Sequence, residues 1–209
     1  MVKKIVLLAV LALALPLAAF ASSASIGTTA TGGTLTGTTS GLSLTGSTLN
    51  IVSGLPGNPG QILGSNLGSL SFTTGALTSG SLTGGNMTFA GGGMFTITGN
   101  GTSGVPNTVI FSGTFLGPVT VTENGPASGP FSYSITGEVS GTLYTGFKTY
   151  ANTVVVTIHT HKGPLANGGS ASVESVDTTI VVPEPGTLSL FGTGLIGLAG
   201  LVRRKLNLV

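Results

Sequence analysis

Neither cysteine nor tryptophan occurs in the 209 residues, and charged side chains make up only 6% of them, against about 25% in ordinary globular chains. The missing cysteine excludes thiol catalysis and thiolate-held metal. It does not assign a compartment, because an exported domain need not carry disulfides. Low charge is compatible with a membrane protein, but no internal stretch reaches the ~20 apolar residues of a spanning helix. Disorder goes with high charge and few β-branched residues, and this composition is the reverse. The formal net charge of +2 does not describe the middle of the chain. Lys3, Lys4, Arg203, Arg204 and Lys205 all sit at the extremities. Between residues 22 and 182 the two lysines, Lys148 and Lys162, stand against four carboxylates, Glu123, Glu138, Glu174 and Asp177, which leaves −2. That segment has no basic footprint for nucleic acid, and no nucleic-acid partner is expected.

What fills the chain instead is glycine, 36 residues of it, with threonine and serine between short apolar runs. Leu42-Ser43-Leu44 and Leu70-Ser71-Phe72 alternate as strands do. Leu55-Pro56-Gly57 and Asn58-Pro59-Gly60 are turn signals. A Thr-Gly-x-Leu pattern recurs too irregularly to favour a regular solenoid. Strand signals strengthen from Asn86. Met87-Thr88-Phe89 and Met94-Phe95-Thr96-Ile97 flank a hairpin turn or bulge at residues 90–93. Residues 109–115 alternate through Val109, Phe111, Gly113 and Phe115, and Val119-Thr120-Val121 follows. Glu123-Asn124-Gly125-Pro126 reads as a turn, and residues 131–135 and 139–144 as a hairpin turning at Thr136-Gly137-Glu138. Val154-Val155-Val156-Thr157-Ile158 reads as the most buried strand, and 171–173 and 179–181 as the last ones. No amphipathic helix pattern appears between the two ends. Short strands at intervals of about ten residues predict an all-β fold, a single antiparallel sandwich or barrel-like domain. Composition divides it into a low-complexity Gly/Thr/Ser-rich β region at 22–85 and a main β domain at 86–182. Outward threonine and serine keep such a sheet soluble, and the scarcity of edge lysine predicts poorly guarded edges and self-association.

Both ends carry targeting signals. Residues 1–21 read as a signal peptide: Lys3 and Lys4 precede an apolar run, and Ala19-Phe20-Ala21 supplies the small-x-small site. Signal peptidase is then expected to cut after Ala21, with Ala24 as the weaker option. Residues 183–209 have three parts in order. Pro183-Glu184-Pro185-Gly186 is an extended joint, because two prolines around one carboxylate continue neither sheet nor helix. Residues 188–202 are uncharged, and Arg203-Arg204-Lys205 closes them. A helix of that length spans about 22 Å, short of the ~30 Å hydrocarbon layer. Snorkelling stems and a thinned bilayer make up the difference. The positive-inside rule puts Arg203, Arg204 and Lys205 in the cytoplasm as a basic stop, with the main domain outside. Ser189, Thr193 and Gly197 repeat every four residues, the spacing of close helix contacts in membranes.

This ending resembles the PEP-CTERM sorting signal of exported bacterial proteins. The resemblance rests on residues 182–187, on the apolar run with Gly192, Gly194, Gly197 and Gly200, and on Arg203-Arg204. It implies an exosortase-type transpeptidase as partner, cleavage near Pro183, Glu184 and Pro185, and delivery to the cell surface or extracellular matrix. It further implies a Gram-negative-type envelope, often alongside exopolysaccharide.

Reactive groups are few. His159 and His161 share one face of a strand and would bind zinc or copper only if a third ligand, Glu174 or Asp177, approached. Two exposed polar residues at a strand end are the preferred reading, and no metal or other cofactor is expected. His159 and Asp177 with one of many serines form a triad on paper, but no nucleophile elbow, Walker A or H-E-x-x-H sequence is present. Gly84-Gly85 and Gly91-Gly92-Gly93 read as turns rather than a dinucleotide loop. A glycosidase pair would have to come from Glu123, Glu138, Glu174 and Asp177. Tyr133, Tyr144 and Tyr150 with Phe131 and Phe147 are a candidate carbohydrate-stacking face, read in preference as ordinary packing. The two N-x-T sites, at Asn86 and Asn100, are read as coincidental in a bacterial setting. The expectation is a structural or adhesive surface protein that is not an enzyme. A surface-anchored carbohydrate-binding module is the alternative.

Overall fold

Alternating side chains and glycine bulges build the fold from long hairpins. The computed structural model describes residues 24–125, 131–161 and 165–182, as strands, turns and bends. The strands are β1 (Ala24–Thr31), β2 (Thr34–Thr38), β3 (Gly41–Leu55), β4 (Asn58–Leu63), β5 (Gly68–Thr73), β6 (Leu77–Ser79), β7 (Asn86–Phe89), β8 (Gly92–Gly99), β9 (Val109–Phe115), β10 (Val119–Asn124), β11 (Phe131–Leu143), β12 (Lys148–Thr160) and β13 (Gly169–Val182).

Several of these are halves of one bent strand. β1 and β2 both run antiparallel to β3, with Thr31 opposite Thr48 and Thr34 opposite Thr45, so only Gly32-Gly33 interrupts them. In the same way β9 and β10 face successive halves of β11. β8 and β7 then face β9 and β10, and β5 and β6 face β8 and β7. Counted so, eight long strands form a meander. The last of them pairs with the first, Ser172 with Thr34 and Gly169 with Gly37. The result is a closed eight-stranded antiparallel barrel, with β4 as an extra strand on β3.

Ser25–Val182 forms one compact unit. The compositional boundary at 85/86 falls between β6 and β7, and the sheet passes through both sides of it. Closure also changes the reading of the edges. β13 pairs with β1 and β2 on one side and β12 on the other, so among the described residues the main wall has no free edge. Outer edges remain on two short strands, β6 and β4, and Pro59 in β4 has no N–H to offer a partner.

The core follows the period of two. On β12, Val154, Val156 and Ile158 point inward while Thr157 and His159 point out. Val155, read from the sequence as part of a fully buried run, is 38% exposed. Four rings fill the middle of the barrel. Phe95 meets Phe111 at 6.1 Å and Phe115 at 6.2 Å in edge-on geometry, and stacks on Phe72 at 6.3 Å. Such pairs add roughly 0.5–1.5 kcal/mol each beyond the area they bury.

Three turn readings are corrected, the first being that Glu123 and Asn124, read as opening a turn, instead close β10. Thr136-Gly137-Glu138 is not a turn, since β11 runs straight through it with Gly137 opposite Val154. Gly137 is there for space, because a Cβ on it would lie 2.9 Å from the Phe115 ring. Of the two proline signals near residue 57, only Pro56-Gly57 turns the chain, with Gly57 at φ 83°. Asn58-Pro59-Gly60 lies within β4.

Candidate functional site

The meander puts the beginning of β1 and the end of β13 at the same end of the barrel. Thr29 Oγ1 donates to Asp177 Oδ1 at 2.7 Å, and Gly32 N–H donates to the Glu174 carbonyl at 3.5 Å. Both contacts keep step with the Thr34–Ser172 pairing, which brings Ser25 alongside Val181. The Pro56-Gly57 turn, the 100–108 loop and the 144–147 tip lie at this end. The 39–40 turn, the 80–85 loop and the described part of the 161–168 loop lie at the other.

At the end away from the chain exits, Glu123 stands opposite Tyr133 across the β10–β11 ladder, so the two side chains share the inner face. Leu82 and Leu165 close over them from the two loops and meet at Gly37, where a Cβ would lie 3.1 Å from each. Both Glu123 carboxylate oxygens are enclosed without a partner in full hydrogen-bonding geometry. Burial pushes the Glu123 carboxyl above its usual range, with the Gly85 backbone amide acting the other way. Burial, and then the neighbouring Glu123 carboxylate, push the Tyr133 hydroxyl up to about 12, against a hydrogen bond from the Leu165 backbone. Tyr133 therefore stays protonated at any physiological pH.

An acid whose pKa is raised on folding binds its proton more tightly in the native state. Stability therefore falls as pH climbs from the ordinary carboxylate range through the raised value. Glu123→Gln removes that liability. Its melting temperature should exceed the native chain's by a few degrees at pH 8, and the gap should close at pH 4. A gap of equal size at both pH values would sink this account. The pattern was open to reading from sequence, because Val119, Val121 and Glu123 alternate onto one face.

The other sequence candidates are dispersed. Glu138 points outward on β11, and Glu174 and Asp177 point outward on β13. His159 and His161 are both exposed, with Ser175 rather than a carboxylate opposite His159. Among the described residues no three metal-ligating side chains converge. The aromatic candidates do not make one face. Phe131 and Tyr133 lie inside, their rings 5.7 Å apart. Tyr144 donates its hydroxyl hydrogen to the Pro56 carbonyl. Only Phe147 and Tyr150 stand in solvent. Tyr150 is outward because a bulge at residues 150–151 turns two successive side chains to the outside.

The targeting residues Ala19 and Ala21, the Pro183, Glu184 and Pro185 joint, the 188–202 run and Arg203, Arg204 and Lys205 lie outside the described residues. What is described is the strand leading into them: Val181 pairs with Thr153, and Val182 is buried. Residues 181–205 match the family model of the PEP-CTERM protein-sorting motif. The chain carries a PEP-CTERM sorting signal. The PEP-CTERM match begins within the last two residues of β13, so barrel wall and signal adjoin with no linker between them. A PEP-CTERM signal implies an exported protein that associates with the membrane and is processed by an exosortase. No curated protein and no solved structure matches the chain.

Proposed function

We propose that this chain is a structural or adhesive protein of the surface or extracellular matrix of a Gram-negative-type bacterium. Signal peptidase removes residues 1–21. The 188–202 run then holds the chain as a transmembrane helix, with Arg203, Arg204 and Lys205 on the cytoplasmic side, until an exosortase cuts near Pro183, Glu184 and Pro185. The barrel is the cargo, and exopolysaccharide is the surrounding it meets on release.

The observation that carries this reading is the direct junction of the last barrel strand with the sorting motif. A non-catalytic role is supported by the placement of the described acids, one inside the barrel and three on its outer wall. It is also supported by a middle filled with phenylalanine rings. A wall of outward serine and threonine suits a neutral, hydrated matrix. Examples are the opposed pairs Thr36–Ser43, Ser71–Thr96 and Thr96–Ser112.

The test is fractionation of cells with and without the sorting enzyme, followed by mass spectrometry of the mature termini. The expected product begins at Ser22 and has lost its tail only when the enzyme is present. A tail retained in both strains, with the protein in the same fraction, would remove the proposal.

A further inference from the structure

Large apolar side chains are not exposed evenly. Among the described residues, those left in solvent are Leu63, Met94, Val109, Leu116, Phe147, Tyr150 and Val155. Met94, Leu116 and Val155 are spread along the wall. The other four lie toward the end where the chain enters and leaves the barrel. Tyr150 is 72% exposed, Leu63 63% and Phe147 43%.

Hydrogen bonds join the elements that carry these residues. Phe147 and Tyr150 flank the β11–β12 tip. Tyr144 N–H at that tip donates to the Ile110 carbonyl, next to Val109. The Tyr144 hydroxyl reaches across to the Pro56 carbonyl of the β3–β4 turn, whose second strand ends at Leu63. Lys148 sits between the two exposed rings and is the one lysine among the described residues. The described carboxylates lie elsewhere: Glu123 at the opposite end, and Glu138, Glu174 and Asp177 along the wall.

Aromatic rings with a polar edge beside a basic stem suit the headgroup layer of a bilayer, where rings sit at the interface and ammonium groups meet lipid phosphate. The covalent tether points the same way. After Val182 only residues 183–187 precede the uncharged run, and five residues reach at most about 17 Å. A barrel on so short a leash cannot turn its exit end far from the lipid.

We infer that the exit-end rim of Leu63, Val109, Tyr144, Phe147, Lys148 and Tyr150 is a membrane seat. It rests the barrel on the outer leaflet, through its rings and Lys148 on lipid phosphate, while the tail is still attached. This rests on the proposed reading of residues 188–202 as a membrane segment. The seat fixes the barrel's orientation and presents the 183–185 joint at the membrane surface, where a membrane enzyme reaches it. After the tail is cut, one Lys148 and two exposed rings are too few to hold the barrel, because weak interfacial contacts need a second anchor for stable attachment.

The lack of tryptophan allows a clean test. The full chain without its leader, carrying Tyr150→Trp, is reconstituted into phosphatidylcholine vesicles with a minority of phosphatidylglycerol, some of it with brominated acyl chains. Emission should shift to the blue and be quenched about twofold, as for an interfacial ring. A second variant with tryptophan in place of Ser40, in the turn at the opposite end, should stay unquenched. Adding F147S and K148E to Tyr150→Trp should return its emission to that of a water-exposed ring. If the protein floats with the vesicles and Trp emission at 150 is unquenched, or equals that at 40, the seat is wrong and the anchor stands. If the protein does not float at all, the membrane reading of the tail fails and the seat falls with it.

Discussion

Cells producing a P183A/E184A/P185A variant should export a chain that keeps its tail. The leader-cleaved product should be found intact in the membrane fraction, where the native protein is shortened and released. The effect should be close to all-or-none, because the family match spans these residues and nothing else in the sequence offers two prolines around a carboxylate. The substituted joint loses two fixed φ angles and the only charge between Val182 and Arg203. An enzyme that reads two prolines around one carboxylate then has nothing to hold. The barrel itself should be untouched, since β13 ends at Val182, and an unchanged melting temperature would show it. Normal release of the variant would mean that the sorting step reads something other than this joint.

The second large effect is expected in the core. Phe95 is fully buried and touches Phe72, Phe111 and Phe115. Phe95→Ala removes the shared member of all these contacts and leaves a cavity that rigid strands cannot collapse. The cost should be about 3–5 kcal/mol, which lowers the melting temperature by on the order of 10 °C for a domain of this size. Phe147→Ala is the matched control. That ring stands in solvent at the β11–β12 tip, and its loss should change stability by no more than about 0.5 kcal/mol. Denaturant midpoints of the two variants against the native chain decide the matter. Comparable losses would mean that the ring cluster is not what holds the barrel.

The strands and the sorting signal were legible in the sequence for different reasons. Residues 111–115 showed a period of two because that stretch has one wet and one dry face, whereas Val109 and Val155, both read as inward, stand exposed. The sorting signal was legible because its parts follow one another along the chain and need no folding to be recognised. Glycines inside strands, and bulges, were the main sources of error. Thr136-Gly137-Glu138 looks like a turn, yet its glycine makes room for Phe115. Only the residues at 90–93 could be read either way, and they prove to be a kink within one strand made of β7 and β8. The aromatic grouping failed because Tyr133 and Tyr150 alternate to opposite sides of the wall, the second displaced by a bulge that no local pattern announces. Closure was out of reach, since β2 and β13 pair across more than a hundred intervening residues. The Glu123–Tyr133 pair was half visible: the alternation was there, but its partner lay on the next strand.

Because every long strand but one finds its neighbour in the adjacent stretch of chain, nearly all of the wall can zip up in the order of its emergence through the membrane. The exception is the first strand, whose second side has no mate until β13 arrives. Local hairpins form quickly and distant pairings slowly, so the barrel stays open until its final strand arrives to pair with the first. The strand that closes the barrel is thus the one that immediately precedes the sorting signal along the chain.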